Sequence, residues 1–132
     1  MNRILTLSAI LFLVVSCSPK SNSTEAPGDF AHTVYFWLAN PDSTDDRKAF
    51  EVSLTKFLDA SEFIVTKHVG TPAATTHRDV VDGSYTYSLL LTFKNKADQD
   101  AYQDEAVHKT FIEESAHLWT KVLVYDSENI LK

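Results

Sequence analysis

The sequence predicts a single α+β domain of order β-α-β-β-α-β, with helices on one face of an antiparallel sheet. Three observations carry that prediction. Four short runs rich in β-branched and aromatic residues are spread over residues 32–125, and the stretches after the first and third carry apolar residues at helical spacing. Capping and turn-forming residues stand at the joints between these segments. The chain of 132 residues is 44% hydrophobic and 23% charged, enough for one core and not for two.

Residues 32–38 (HTVYFWL) are β-branched and aromatic and read as the first strand. Pro41 breaks it, and Ser43 or Thr44 can cap a helix whose first turn holds Asp45 and Asp46, acids suited to the positive end of the helix dipole. Phe50, Leu54, Phe57 and Leu58 then fall on one helical face. Residues 63–69 (FIVTKHV) form a second strand ending at Gly70. Residues 71–83 hold Pro72, Gly83 and few large apolar groups, and read as a loop. Residues 85–93 (YTYSLLLTF) are the third strand, Asn95 caps a short helix over 96–104, and a second helical stretch puts Val107, Phe111, Ser115 and Leu118 on one face. Residues 119–125 (WTKVLVY) close the sheet. The order is that of the ferredoxin-like split βαβ arrangement.

Upstream of this domain, Arg3 precedes an apolar run over residues 4–15, too short to span a bilayer comfortably and typical of a secretory signal. Val14-Val15-Ser16-Cys17 resembles a bacterial lipobox, which implies cleavage before Cys17 and acylation of its sulfur. A lone cysteine in an exported protein has a use there, since acyl chains contribute about 0.8 kcal/mol per buried CH₂. The expected organisation is a signal peptide over 1–16, a Ser- and Pro-containing tether over 17–30 and the folded domain over 31–132. The expected location is a bacterial membrane surface, with Ser18 compatible with the outer membrane in a Gram-negative cell.

Composition excludes several functions. Twelve Lys+Arg against eighteen Asp+Glu gives a net charge of −6 with no basic stretch, which argues against nucleic-acid binding. One cysteine and five histidines without HxH or HExxH spacing argue against a metal site, and three scattered glycines leave no phosphate loop. No cofactor is expected.

Strand parity is the main physical clue to assembly. Phe36 and Leu38 point one way while Tyr35 and Trp37 point the other, and Leu89 and Leu91 oppose Leu90. Helices can cover only one such face, so the other needs a second cover, most simply the same face of a second copy in a homodimer.

In this order and spacing, HTVYFWL, KHVG, YTYSLLLTFKNKAD, AYQDEAVHKTF and KVLVYD resemble the stress-responsive dimeric α/β-barrel (Dabb) domain family over nearly the whole domain. The resemblance implies a dimer whose two sheets form a barrel with the helices outside. A plant branch of that family, the olivetolic-acid-cyclase-like enzymes, performs an aldol ring closure without metal or organic cofactor. What that branch implies here is an acid/base pair at Tyr102 and His108, with a further histidine at His32. The chain departs from the branch at Tyr87, where a pocket histidine is expected, at Leu54, where a tyrosine is expected, and at Glu105-Ala106, which replaces His-Pro.

On the residues alone, a histidine can exchange protons near neutral pH and a tyrosine can polarise a carbonyl. Six residues apart on one continuous helix, Tyr102 and His108 would diverge, so the pair requires a helix break near residues 104–106. Parity puts His32, Tyr85 and Tyr87 on one sheet face, where they are expected to line a ligand pocket with Phe50 and Leu54. Two readings follow: a membrane-tethered dimer that binds a small hydrophobic or aromatic molecule, or a cofactor-independent enzyme acting on a small carbonyl compound through His108 and Tyr102. A barrel serving only as a dimerisation device is a third.

Overall fold

The computed structural model describes residues 28–131. The expected signal peptide, Cys17 and most of the tether lie outside these residues.

Eight segments follow one another: β1 (Phe30–Leu38), α1 (Thr44–Ala60), β2 (Thr66–Gly70), β3 (Tyr87–Phe93), α2 (Lys96–Asp104), α3 (Ala106–Ser115), a 3₁₀ turn (Ala116–Leu118) and β4 (Trp119–Glu128). The sheet order is β2-β3-β1-β4 with every neighbouring pair antiparallel. This is the ferredoxin-like fold. Ser43 caps α1 by accepting from the Asp46 amide, and Asn95 caps α2 by accepting from the Asp98 amide.

Along β1 burial alternates without a break, with Phe30, His32, Val34, Phe36 and Leu38 turned toward the helices. Phe50, Leu91 and Phe93 are completely buried at the centre of the core they build. The opposite face carries Tyr35 and Trp37, half-buried, and Leu90 and Tyr125, exposed. Tyr35 packs edge-on against Tyr85 at 4.9 Å, and the Lys121 ammonium sits 4.0 Å over the Trp37 ring.

Five boundaries differ from the sequence reading. β1 takes in Phe30, at the far end of the expected tether. β2 begins at Thr66 and not at residue 63, because Phe63 and Ile64 turn into the core and only the Val65 amide reaches across, to the Thr92 carbonyl. β3 begins at Tyr87 and not at residue 85. Thr86 is buried, and its Oγ1 accepts from the Leu38 amide, which bends the strand before Tyr87. The bend sends Tyr85 to the open face with Tyr35, so the parity that grouped Tyr85 with His32 and Tyr87 does not hold. Leu118 lies in the 3₁₀ turn beyond α3, and β4 runs on to Glu128.

Candidate functional site

β1 and β4 pair so that His32 faces Asp126, Val34 faces Val124 and Phe36 faces Val122. His32 is buried, and its Nδ1 lies 2.6 Å from Asp126 Oδ1. With Nδ1 donating to that carboxylate, Nε2 is the ring nitrogen left for another partner. The Asp126 side chain is 45% exposed, so the pair sits at the boundary between core and solvent.

The helical side of the site depends on the break that the sequence requires. α2 ends at Asp104 and α3 starts at Ala106, with Glu105 between them at φ −56° and ψ 136°. The Glu105 carboxylate is tied to the end of α1: it accepts from Ser61 Oγ at 2.6 Å and from the Glu62 amide at 2.8 Å. Because the chain turns at Glu105, the Tyr102 and His108 rings come together at 4.8 Å. Tyr102 also meets His32 at 5.7 Å and Phe57 at 5.6 Å.

These groups have shifted acidities. Burial holds the His108 imidazole below its ordinary value of 6.5, opposed by the hydrogen bond from Nδ1 to the Gln103 carbonyl. Burial raises the Tyr102 hydroxyl, and the negative charges of Glu105 and Asp126 raise it further. At neutral pH the site therefore holds an uncharged imidazole with Nε2 as its base, beside a phenol that keeps its proton. Among the described residues the Tyr102 hydroxyl makes no hydrogen bond.

All four side chains line one cavity of about 250 Å³ between the sheet and α2–α3. Its other walls are apolar, from Val34, Phe36 and Leu89 on the sheet to Phe111 and Ile112 on α3, with Trp119 at the start of β4. Val122 and Val124 on the edge strand are 37% and 43% exposed and form its rim.

The structure brings His32, Tyr102 and His108 together and leaves four other expected pocket residues out of the cavity. Phe50 and Leu54 are core residues. Tyr87 stacks on Phe50 at 4.8 Å and donates its hydroxyl to Glu51, under the Arg47 guanidinium. Tyr85 is on the opposite face. Asp126 and Trp119 line the cavity and were missed by sequence reasoning. The signal for Asp126 was the β1–β4 register, which pairs an inward histidine with an acid just past the apolar part of the last strand.

Among the described residues no group of three or more His, Cys, Asp and Glu side chains could hold a metal ion, and no helix is long and apolar enough to cross a membrane.

The model of the stress-responsive A/B barrel domain matches residues 30–129. The chain belongs to that family. Its fold is shared with a Dabb family protein from Mesorhizobium loti (22% identity, TM-score 0.64, covering 78% of this chain and 98% of that one). It is shared also with the hydroxynitrile lyase of Passiflora edulis (17% identity, TM-score 0.66, covering 81% and 98%). A dimeric ferredoxin-like protein of unknown function from Thermobifida fusca is similar too (15% identity, TM-score 0.62, covering 80% and 96%). No curated protein matches the chain by sequence.

Proposed function

We propose that this member of the A/B barrel family is a lipid-anchored homodimer that binds a small hydrophobic or aromatic molecule in the cavity of His32, Tyr102, His108 and Asp126. The observation that carries the binding reading is the cavity itself. An apolar hollow with convergent polar groups at one end, two of them with shifted acidities, is the usual form of a ligand site. Homodimerisation is supported by the aromatic open face of the sheet and by related structures described as dimeric. Anchoring at the surface of a bacterial membrane, the outer one in a Gram-negative cell, is supported by the signal-like residues 1–16 and Cys17.

One observation favours a second reading, cofactor-independent acid/base chemistry on a small carbonyl compound. The Tyr102 hydroxyl, without a hydrogen-bond partner among the described residues, and the uncharged His108 are neighbours in a mostly apolar pocket, and one structural relative is a hydroxynitrile lyase. In such a reaction Tyr102 would donate to the carbonyl oxygen and His108 Nε2 would take a proton from the neighbouring carbon or hydroxyl. Tryptophan fluorescence tests the binding reading, since Trp119 lines the cavity. Binding of aryl ketones that quenches the wild type and is lost in His108→Leu supports the ligand site, and absence of quenching by any of them contradicts it. Release of benzaldehyde from mandelonitrile by the wild type but not by His108→Ala would establish catalysis.

A further inference from the structure

We propose that the cavity selects uncharged ligands and rejects carboxylates, with Asp126 as the determinant. This names the ligand class of the site and rests on the binding reading above. Three observations carry it.

The first is charge. Among the described residues no lysine or arginine lines the cavity. The ionisable groups that the described residues place there are His32, Asp126, Tyr102 and His108. The His32 imidazole is bonded to the Asp126 carboxylate, so it is already engaged by an acid of this chain. An anionic ligand would meet the Asp126 carboxylate at the polar end with no fixed cation to offset it.

The second is the direction of the field at the free donor. Burial keeps the Tyr102 hydroxyl protonated, and the negative charges of Glu105 and Asp126 act in the same direction. A hydroxyl held as a donor, with no acceptor among the described residues, matches a carbonyl or ether oxygen. A carboxylate would also accept that bond, but would bring its full charge into the same negative field.

The third is the axis of the cavity. Inward positions of β1 and their β4 partners run from His32 with Asp126, through Val34 with Val124, to Phe36 with Val122. At about 3.3 Å per residue, that is roughly 13 Å from a polar end to an apolar end. Beyond the His108 turn, α3 continues the gradient with Phe111 and Ile112. The shape suits a molecule with one neutral polar head and an apolar tail.

The test is calorimetric titration of the full chain at pH 7.5 with three probes of one scaffold: 4-butylacetophenone, methyl 4-butylbenzoate and 4-butylbenzoate. The expected result is binding of the ketone and the ester, with the carboxylate weaker by about tenfold or more. Asp126→Asn should raise the affinity for the carboxylate and narrow the gap to about threefold or less. A carboxylate that binds the wild type as tightly as its methyl ester overturns the selectivity while leaving the binding site in place. Failure of all three probes to bind overturns the binding reading, and this inference with it. The ester–acid comparison needs no variant, so it decides the matter even if Asp126→Asn does not fold.

Discussion

Two tyrosines lie on the helix-covered side of the sheet, and their surroundings differ. Tyr87 and Tyr102 are 3% and 1% exposed, and burial makes both hydroxyls harder to ionise. For Tyr87, pushed up to about 12, the rest of the shift comes from its bond to Glu51. That hydroxyl has its acceptor, its ring stacks on Phe50, and the Arg47 guanidinium covers it at 4.8 Å. Tyr102 is walled by the rings of His32, Phe57, Phe93 and His108, and no described residue accepts from its hydroxyl. One tyrosine is completed by its own chain. The other has no acceptor among the described residues, which is why the proposed site is placed at Tyr102.

The comparison can be broken first at the core that surrounds Tyr87. Phe50 is fully buried against Tyr87, Phe36 and Phe111. Phe50→Ala should cost about 3–5 kcal/mol, read as a lower urea midpoint. A cost below 1 kcal/mol would mean the aromatic cluster is not the core.

A smaller effect is expected at the hinge that makes the Tyr102 side different. Glu105→Ala removes the two bonds that tie the helix break to Ser61 and Glu62. Stability should fall by about 1–2 kcal/mol, and 4-butylacetophenone should bind more weakly because Tyr102 and His108 lose their fixed approach. Glu105→Gln, which keeps an acceptor for one of the bonds, should recover part of the binding. Unchanged affinity in Glu105→Ala would separate the hinge from the site.

Removing each hydroxyl sharpens the contrast further. Tyr102→Phe should leave the urea midpoint nearly unchanged and weaken ketone binding by about tenfold, since the lost bond is one made to ligand. Tyr87→Phe should do the reverse, losing about 1 kcal/mol of stability with affinity unaltered. Equal effects of the two substitutions on binding would erase the distinction.

The smallest expected effect is in pH dependence. Burial holds folded His108 below 6.5, so on acidification the unfolded chain takes up the proton first. The stability this group contributes is complete above pH 6.5 and is lost as pH falls toward the folded value. Urea midpoints should therefore drop between about pH 7 and 5.5, and His108→Gln should flatten part of that slope. A wild-type slope equal to that of the variant would contradict a desolvated imidazole.

Much of this was legible in the sequence. Local signals were enough for β1, whose alternation is unbroken, and for α1 and α2, whose caps Ser43 and Asn95 bond as their positions predict. The break between Tyr102 and His108 was legible as a requirement, but its cause was not. Glu105 is held by residues more than forty positions earlier, a contact that only the fold supplies. Tyr85 was misplaced because parity assumes a regular strand, and Thr86 spends its side chain on the Leu38 amide. Asp126 was missed for the same kind of reason. Its partner His32 lies across the sheet, and the register that joins them is set by the whole β1–β4 ladder.

The most direct measurement is of the histidine ring nitrogens by long-range ¹H–¹⁵N NMR during titration with 4-butylacetophenone. His68, His77 and His117 are exposed and lie outside the cavity, so they serve as internal references. The account predicts that the signals of His32 and His108 move together and saturate while the other three stay in place. Ligand-induced shifts confined to the exposed histidines, or no shift at His108, would contradict it.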